Sequence, residues 1–234
     1  MPSALNSLDG FLASEWRPFQ PFGETHRPFI TISRQAGSGG SSLACLLGRK
    51  LNALASENVT WRIFEGNLIA RMLEENHLPT RVARFLPEER IPEVRASIGE
   101  LVGLHPNLWD LVQKTNKTIR QIALAGHAIF VGRGANFATA DLAHGTHVRL
   151  VAPAEHRARY LAQRYNISES EARVLNARCD AARRGYVKAN FGADTNDSCA
   201  YDMVINTAEV SLDEAADLVI AHIARHHPAL EMAR

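Results

Sequence analysis

Between Phe29 and Leu54 the chain reads FITISRQAGSGGSSLACLLGRKLNAL, a short apolar run, a glycine-rich turn and a segment with leucines at helical spacing. Phe29–Ser33 is rich in β-branched and aromatic residues, as a buried strand is, and Leu43, Leu46, Leu47, Leu51 and Leu54 mark one face of a helix. A strand that turns through glycines straight into a helix gathers backbone N–H groups and the positive end of the helix dipole at one point, the arrangement that binds phosphate. Gly37, Gly39 and Gly40 let the backbone approach an anion, while Ser41 and Ser42 are placed to cap the helix or to hold magnesium. The match to G-x-x-x-x-G-K-[ST] is incomplete: with Gly39 at its second glycine, Gly40 stands at the lysine and Arg34 at the first glycine. Taken alone, the stretch also reads as a tight turn without a ligand.

The rest of the chain alternates strands and helices. Val59–Phe64 reads as a second strand closed by Glu65, and Asn67–Glu75 as a helix. Asn107–Ala125 is a helix stopped by Gly126, and Ala128–Gly132 is a continuous apolar run typical of a strand covered on both faces. His147–Val151 is a further strand, and Pro153 suits the first turn of a helix reaching Tyr165. Ser168–Glu171 is a capping box with Ile167 and Ala172 as a staple, and it opens an arginine-rich helix. Met203–Asn206 is the last strand; Ser211–Glu214 is a second capping box before a helix with Ala215, Ala216, Val219 and Ile223 inward. This order predicts an α/β fold, a mostly parallel sheet with helices on both faces, which binds ligands at the carboxyl ends of its strands. Arg34, Glu65 and Arg133 fall at that edge.

Two segments break the alternation. Residues 1–27 interleave Phe11, Trp16, Phe19 and Phe22 with prolines and read as an irregular arm that docks on the core or on a partner subunit, giving a homo-oligomer. Residues 77–105 read as an arginine-rich insertion.

Composition excludes several function classes. With 234 residues, 46% hydrophobic and a net charge of +1, the chain can bury a large core but lacks the basic excess of a general nucleic-acid or membrane-surface binder. No run is apolar enough for a membrane span or a signal peptide, and Cys45, Cys179 and Cys199 have neither disulfide nor zinc spacing, so a cytoplasmic setting is expected. Only Lys50, Lys114, Lys117 and Lys188 are lysines; the remaining basic side chains are arginines, which grip phosphate oxygens two at a time. His144 and His147 lack a third ligand and are expected as exposed loop histidines, and Tyr186 as a packing residue.

ITISRQAGSGG, IFVGRGANF, RLVAPAEHRARYLAQR, CDAARRGYVKANFG and YDMVINTAEVSLDEAADLVI, in this order, resemble the cytidylate kinase-like family of P-loop nucleoside monophosphate kinases. The resemblance implies a P-loop NTPase three-layer α/β/α fold, a kinase-like domain over 28–225 with 77–105 on the acceptor side, a helical lid at 168–191 and a C-terminal tail at 226–234. GSGG in place of GSGK is usual in that family. By resemblance, Gly37, Ser38, Gly39 and Gly40 wrap the donor phosphates, Ser41 lies nearest magnesium with Ser42 beside it, and Arg34 and Arg133 face the phosphates. The lid supplies Arg178 on the nucleotide and Arg183 and Arg184 on the reacting groups. Where cytidylate kinases proper have G-R-D, this chain has Gly132-Arg133-Gly134, so the aspartate that helps hold the acceptor is replaced.

The implied activity is transfer of the ATP γ-phosphoryl group, with Mg2+, to a nucleoside monophosphate or similar small phosphorylated acceptor. No nucleic-acid or membrane partner is expected. Gly40 and Gly134 leave open a nucleotide-binding regulator or pseudokinase without turnover, and a charged stripe on the lid is also what a solvated helix face looks like.

Overall fold

Alternation of side chains along the apolar runs decides how the layers form. The computed structural model describes residues 27–56, 59–65 and 106–227. Its sheet contains β1 (Phe29–Arg34), β2 (Arg62–Phe64), β3 (Ala128–Val131), β4 (Gly145–Val151) and β5 (Met203–Asn206) in the order β2-β3-β1-β4-β5, every pairing parallel. The described helices are α1 (Gly40–Leu54), α2 (Pro106–Ala125), α3 (Ala135–Ala138), α4 (Ala154–Tyr165), α5 (Glu169–Phe191) and α6 (Leu212–His226).

Successive strand residues point to opposite faces. Ile30, Ile32, Ile129, Val131, Val148, Leu150 and Ile205 meet the leucines of α1 and the Ala215–Ile223 stripe of α6. Phe29, Phe64, Ala128 and Phe130 meet Ile119, Ile122 and Ala123 of α2, with α3 beside them. Two apolar layers on one all-parallel sheet make a three-layer α/β/α fold.

Local chemistry sets the ends of the helices. Both capping boxes form: Ser168 and Ser211 each accept from the N–H three residues on, at 3.2 Å, and Glu171 and Glu214 reach back to the serine N–H groups at 2.9 Å. The hydrogen bonds from these serines hold both glutamates below the usual carboxylate range. Gly126 ends α2 with φ 78°, its N–H on Ile122 O at 3.1 Å. α5 is one unbroken helix of 23 residues, and it packs along α4.

Several expected boundaries move. β1 runs through Arg34, and β2 spans Arg62–Phe64 instead of Val59–Phe64. The Asn52 side chain brackets Trp61, accepting from its N–H at 2.6 Å and donating to its carbonyl at 3.0 Å, which takes the backbone groups a sheet partner would use. Pro153 is the cap of α4 rather than its first turn, and α6 runs to His226. The helix at Asn67–Glu75, the insertion at 77–105 and the arm, apart from Arg27, lie outside the described residues, as does the tail beyond His227.

His147 is not in a loop. β4 begins at Gly145, and His147 stands opposite Thr31, its Nδ1 2.8 Å from Thr31 Oγ1 and its ring 6.1 Å from that of Phe29. Burial lowers its pKa from the usual 6.5, against a smaller opposing pull from Asp202. The folded protein therefore resists a proton that the unfolded chain accepts. Stability from this residue is full above about pH 6.5 and is lost as the pH falls toward the lowered value. Melting temperatures from about pH 7.5 to pH 5.5 should fall less steeply for His147→Gln than for the unmutated protein; parallel curves would refute the assignment.

Candidate phosphoryl-transfer site

The turn after β1 is pinned at its base. Gln35 N–H donates to Leu150 O at 3.0 Å, and Gln35 Oε1 accepts from Ala152 N–H at 3.0 Å. Ser38 is buried, its hydroxyl donating to Gln35 O at 2.8 Å and its N–H to the same carbonyl at 3.3 Å. Ser38 therefore braces the loop from within. Gly37 and Gly39 take left-handed conformations, φ 77° and 85°, and Gly39 caps α1 with no side-chain bond and no acidic residue in the first turn. The start of α1, at Gly39 and Gly40, is buried and borders a cleft.

The two serines that follow have specific partners. Ser41 Oγ donates to Glu65 Oε1 at the end of β2, and Ser42 Oγ lies 2.8 Å from the Tyr160 hydroxyl on α4. A hydroxyl beside a carboxylate is a hard-oxygen pair suited to magnesium, which takes few protein oxygens and completes its shell with water and phosphate. Among the described residues no group of three or more His, Cys, Asp or Glu side chains is placed to hold a metal ion.

Two clefts open at the carboxyl edge of the sheet. One, of about 370 Å³, lies over the loop and is lined by Gly37, Gly39, Gly40, Ser41 and Ser42, with Tyr160 and Arg164 across from them. The other, of about 780 Å³, lies against the ends of β1, β3 and β4 and holds Arg133, Arg149, Arg184 and Asn136. Arg34, Gln35 and Arg183 line both. Arg183 Nη1 donates to Arg34 O at 3.3 Å, so the two arginines meet at the junction.

Arg133 sits in an unusual backbone. Gly132, Arg133 and Gly134 are consecutive left-handed residues, φ 79°, 58° and 63°. At a residue with a Cβ this conformation costs about 1 kcal/mol and is concentrated at functional turns. The turn directs Arg133 to the second cleft. At Gly134 a Cβ would lie 2.4 Å from Phe191 Cε2, so the ring at the end of α5 fills the space an aspartate side chain would need.

On α5 the inward face is Asp180, Arg183 and Val187, with Arg184 at the cleft rim. Arg178 lies two residues before Asp180, on the opposite side of the helix; it is exposed and lines neither cleft. Tyr186 is buried, with its ring 6.3 Å from Phe191.

Three residues carry roles that the sequence did not single out. Arg149 is buried, donating to Ser33 Oγ at 3.0 Å and Asn196 Oδ1 at 3.1 Å, over the Tyr201 ring. Arg157 on α4 and Asp180 on α5 form an ion pair at 2.9 Å, both side chains nearly buried at 12% and 13% exposure. Asp180 Oδ1 also accepts from Ala36 N–H at 2.7 Å, and Arg157 donates to Ala36 O at 2.9 Å. Arg157 and Asp180 each lie in a motif quoted above, but nothing in the sequence pairs them.

Residues 29–209 match the model of the Cytidylate kinase-like family. A cytidylate kinase of Sulfolobus acidocaldarius is 33% identical over 203 residues, which cover 86% of this chain and 98% of that protein. The chain belongs to the cytidylate kinase-like family. An uncharacterized protein from Eubacterium ventriosum shares the fold, with a TM-score of 0.63 at 18% identity over 85% of this chain and 99% of its own. Membership in the cytidylate kinase-like family supports a phosphotransferase.

The Asp180 lock has a measurable weight. Asp180→Ala leaves Arg157 without its carboxylate and Ala36 without its acceptor, and breaking such a pair should lower stability by roughly 3 kcal/mol in denaturant titrations. Faster hydrogen exchange at Ala36 and along α5 should accompany the loss. A change under about 0.5 kcal/mol, typical of an ordinary surface site, would show that the pair does not hold the lid to the loop.

Proposed function

We propose that this protein moves the γ-phosphoryl group of ATP to a nucleoside monophosphate or a similar small phosphorylated acceptor, in the cytoplasm. The observation that carries this reading is the junction: a glycine loop cleft and an arginine-rich cleft meet at Arg34 and Arg183, which line both. ATP phosphates lie in the loop cleft on the N–H groups at the start of α1 and around Gly37, Gly39 and Gly40. The acceptor phosphate lies in the second cleft against Arg133, with Arg184 at the rim.

An acceptor phosphate oxygen, already ionised near neutral pH because its second pKa is about 6, attacks the γ-phosphorus, and the bond to the β–γ bridging oxygen breaks to leave ADP. No base is required. The work of the protein is to align the two phosphates and to spread positive charge over the moving group. Arg183 serves both tasks because it lies between the clefts. Ser41 and Glu65 fit magnesium, which would neutralise charge on the donor phosphates. Among the described residues Cys45, Cys179 and Cys199 form no disulfide, and no helix is long and apolar enough to cross a membrane.

Phe191 against Gly134 favours an acceptor side unlike that of cytidylate kinases proper, because a carboxylate side chain at position 134 would require that ring to move. The same replacement, with Gly40 in the loop, supports the second reading, a nucleotide-binding regulator without turnover.

Coupled turnover with magnesium ATP across a panel of monophosphates separates the two. We expect turnover of at least one acceptor, a fall in kcat of roughly 10²-fold or more for Arg133→Ala, and a higher magnesium requirement for Ser41→Ala. Tight ATP binding with no turnover of any acceptor would favour the regulator.

A further inference from the structure

We propose that Arg34 replaces the missing loop lysine as the side chain that grips the transferred phosphoryl group, and that position 40 is glycine because Arg34 lies across it. The inference rests on the phosphotransferase reading of the two clefts.

Gly40 has no backbone reason to be glycine. It is the first residue of α1 and is not among the left-handed glycines, so any residue with a better helix propensity would suit its conformation. Space is the constraint. A Cβ at position 40 would lie 2.9 Å from Arg34 Cγ, 3.0 Å from Cδ and 3.3 Å from Cβ, closer than such atoms approach without displacement. The stem of Arg34 therefore runs through the volume from which a lysine at position 40 would start.

Arg34 itself is the last residue of β1, 6% exposed, and lines both the loop cleft and the arginine-rich cleft. Its Cα is held by pairing with Leu150 on β4, and its carbonyl accepts from Arg183. A guanidinium delivered from the strand rather than from the helix keeps the cation at the loop and adds a fork that can hold two phosphate oxygens together. The exchange has two parts: the helix gives up a lysine, and the strand end supplies an arginine through the opened space.

Such an exchange predicts that the two positions couple in kcat and in the preference for ATP over ADP, whereas a contact that only packs would couple them in stability alone. The test measures affinities for magnesium ATP and magnesium ADP together with kcat for the unmutated protein, Arg34→Ala, Arg34→Lys, Gly40→Ala and the doubles Arg34→Ala/Gly40→Ala and Arg34→Ala/Gly40→Lys. Arg34→Ala should lower kcat by about 10³-fold and reduce the preference for ATP over ADP. Arg34→Lys should recover part of both. Gly40→Ala should cost about tenfold or more when Arg34 is present and little when it is absent, because the clash disappears with the arginine. Arg34→Ala/Gly40→Lys should exceed Arg34→Ala alone.

Thermal melts identify variants that do not fold, and if Arg34→Ala is one of them the cycle is run on Arg34→Lys. Equal cost of Gly40→Ala in both backgrounds, or an Arg34 variant with unchanged kcat and ATP preference, would overturn the exchange while leaving the phosphotransferase reading intact. If the unmutated protein transfers no phosphoryl group, the affinities alone decide. If it binds neither nucleotide, the phosphotransferase reading and the exchange both fall.

Discussion

The two oxygens of the Asp180 carboxylate set the distance between α5 and the glycine loop. One accepts from Ala36 N–H and the other from Arg157, which itself donates to Ala36 O and Ala152 O. The pair is nearly shielded from water, so a misplaced partner would leave a desolvated charge, and the penalty enforces one arrangement. Apolar contacts between α4 and α5 bring the helices together, but Ala158, Leu161 and Ala172 are small or adaptable and would tolerate sliding. The carboxylate does not tolerate it. Because Arg183 lies three residues beyond Asp180 on the same face, the lock also fixes where Arg183 meets Arg34.

The cation supply of the site follows from this arrangement. In the larger cleft Arg34 comes from a strand end, Arg133 from a left-handed turn, Arg149 from β4 and both Arg183 and Arg184 from α5, so four elements contribute its five arginines. None depends on the flexible reach of a loop lysine. Planar guanidiniums held by strand ends and packed helices lose little further freedom when they engage phosphate, which favours alignment over adaptability. Phe191 ties the end of the lid to the turn that carries Arg133, through the space left by Gly134.

Elements with a strong local pattern were legible. The β1 run, the α2 stripe stopped by Gly126 and both capping boxes formed as their residues require, since each depends on neighbours a few positions away. Errors arose where a distant group intervened. Trp61 has a strand-like side chain, yet Asn52 takes its backbone bonds; His147 has a loop-like polarity, yet Thr31 and Phe29 receive it inside β4. The arginines of the lid looked equivalent in sequence. Helical geometry gives Asp180 and Arg183 one side and Arg178 the other, and packing on the loop decides which side faces the site.

From its sequence alone, this protein was bound to be an α/β chain with a glycine turn leading into a helix, a lysine absent from that turn, and arginine as its main cation. Those properties reside in periods of two and of 3.6 residues, in caps and in residue identity. Which arginines converge was decided only when the sheet placed β1 between β3 and β4 and brought Ala36 against Asp180, 144 positions away. The role of Gly40 was hidden for the same reason: a missing side chain in sequence is an opened volume only when the strand end beside it carries Arg34 across. Side-chain volume is a property of neighbours in space, and the parallel sheet makes neighbours of residues that no local pattern relates.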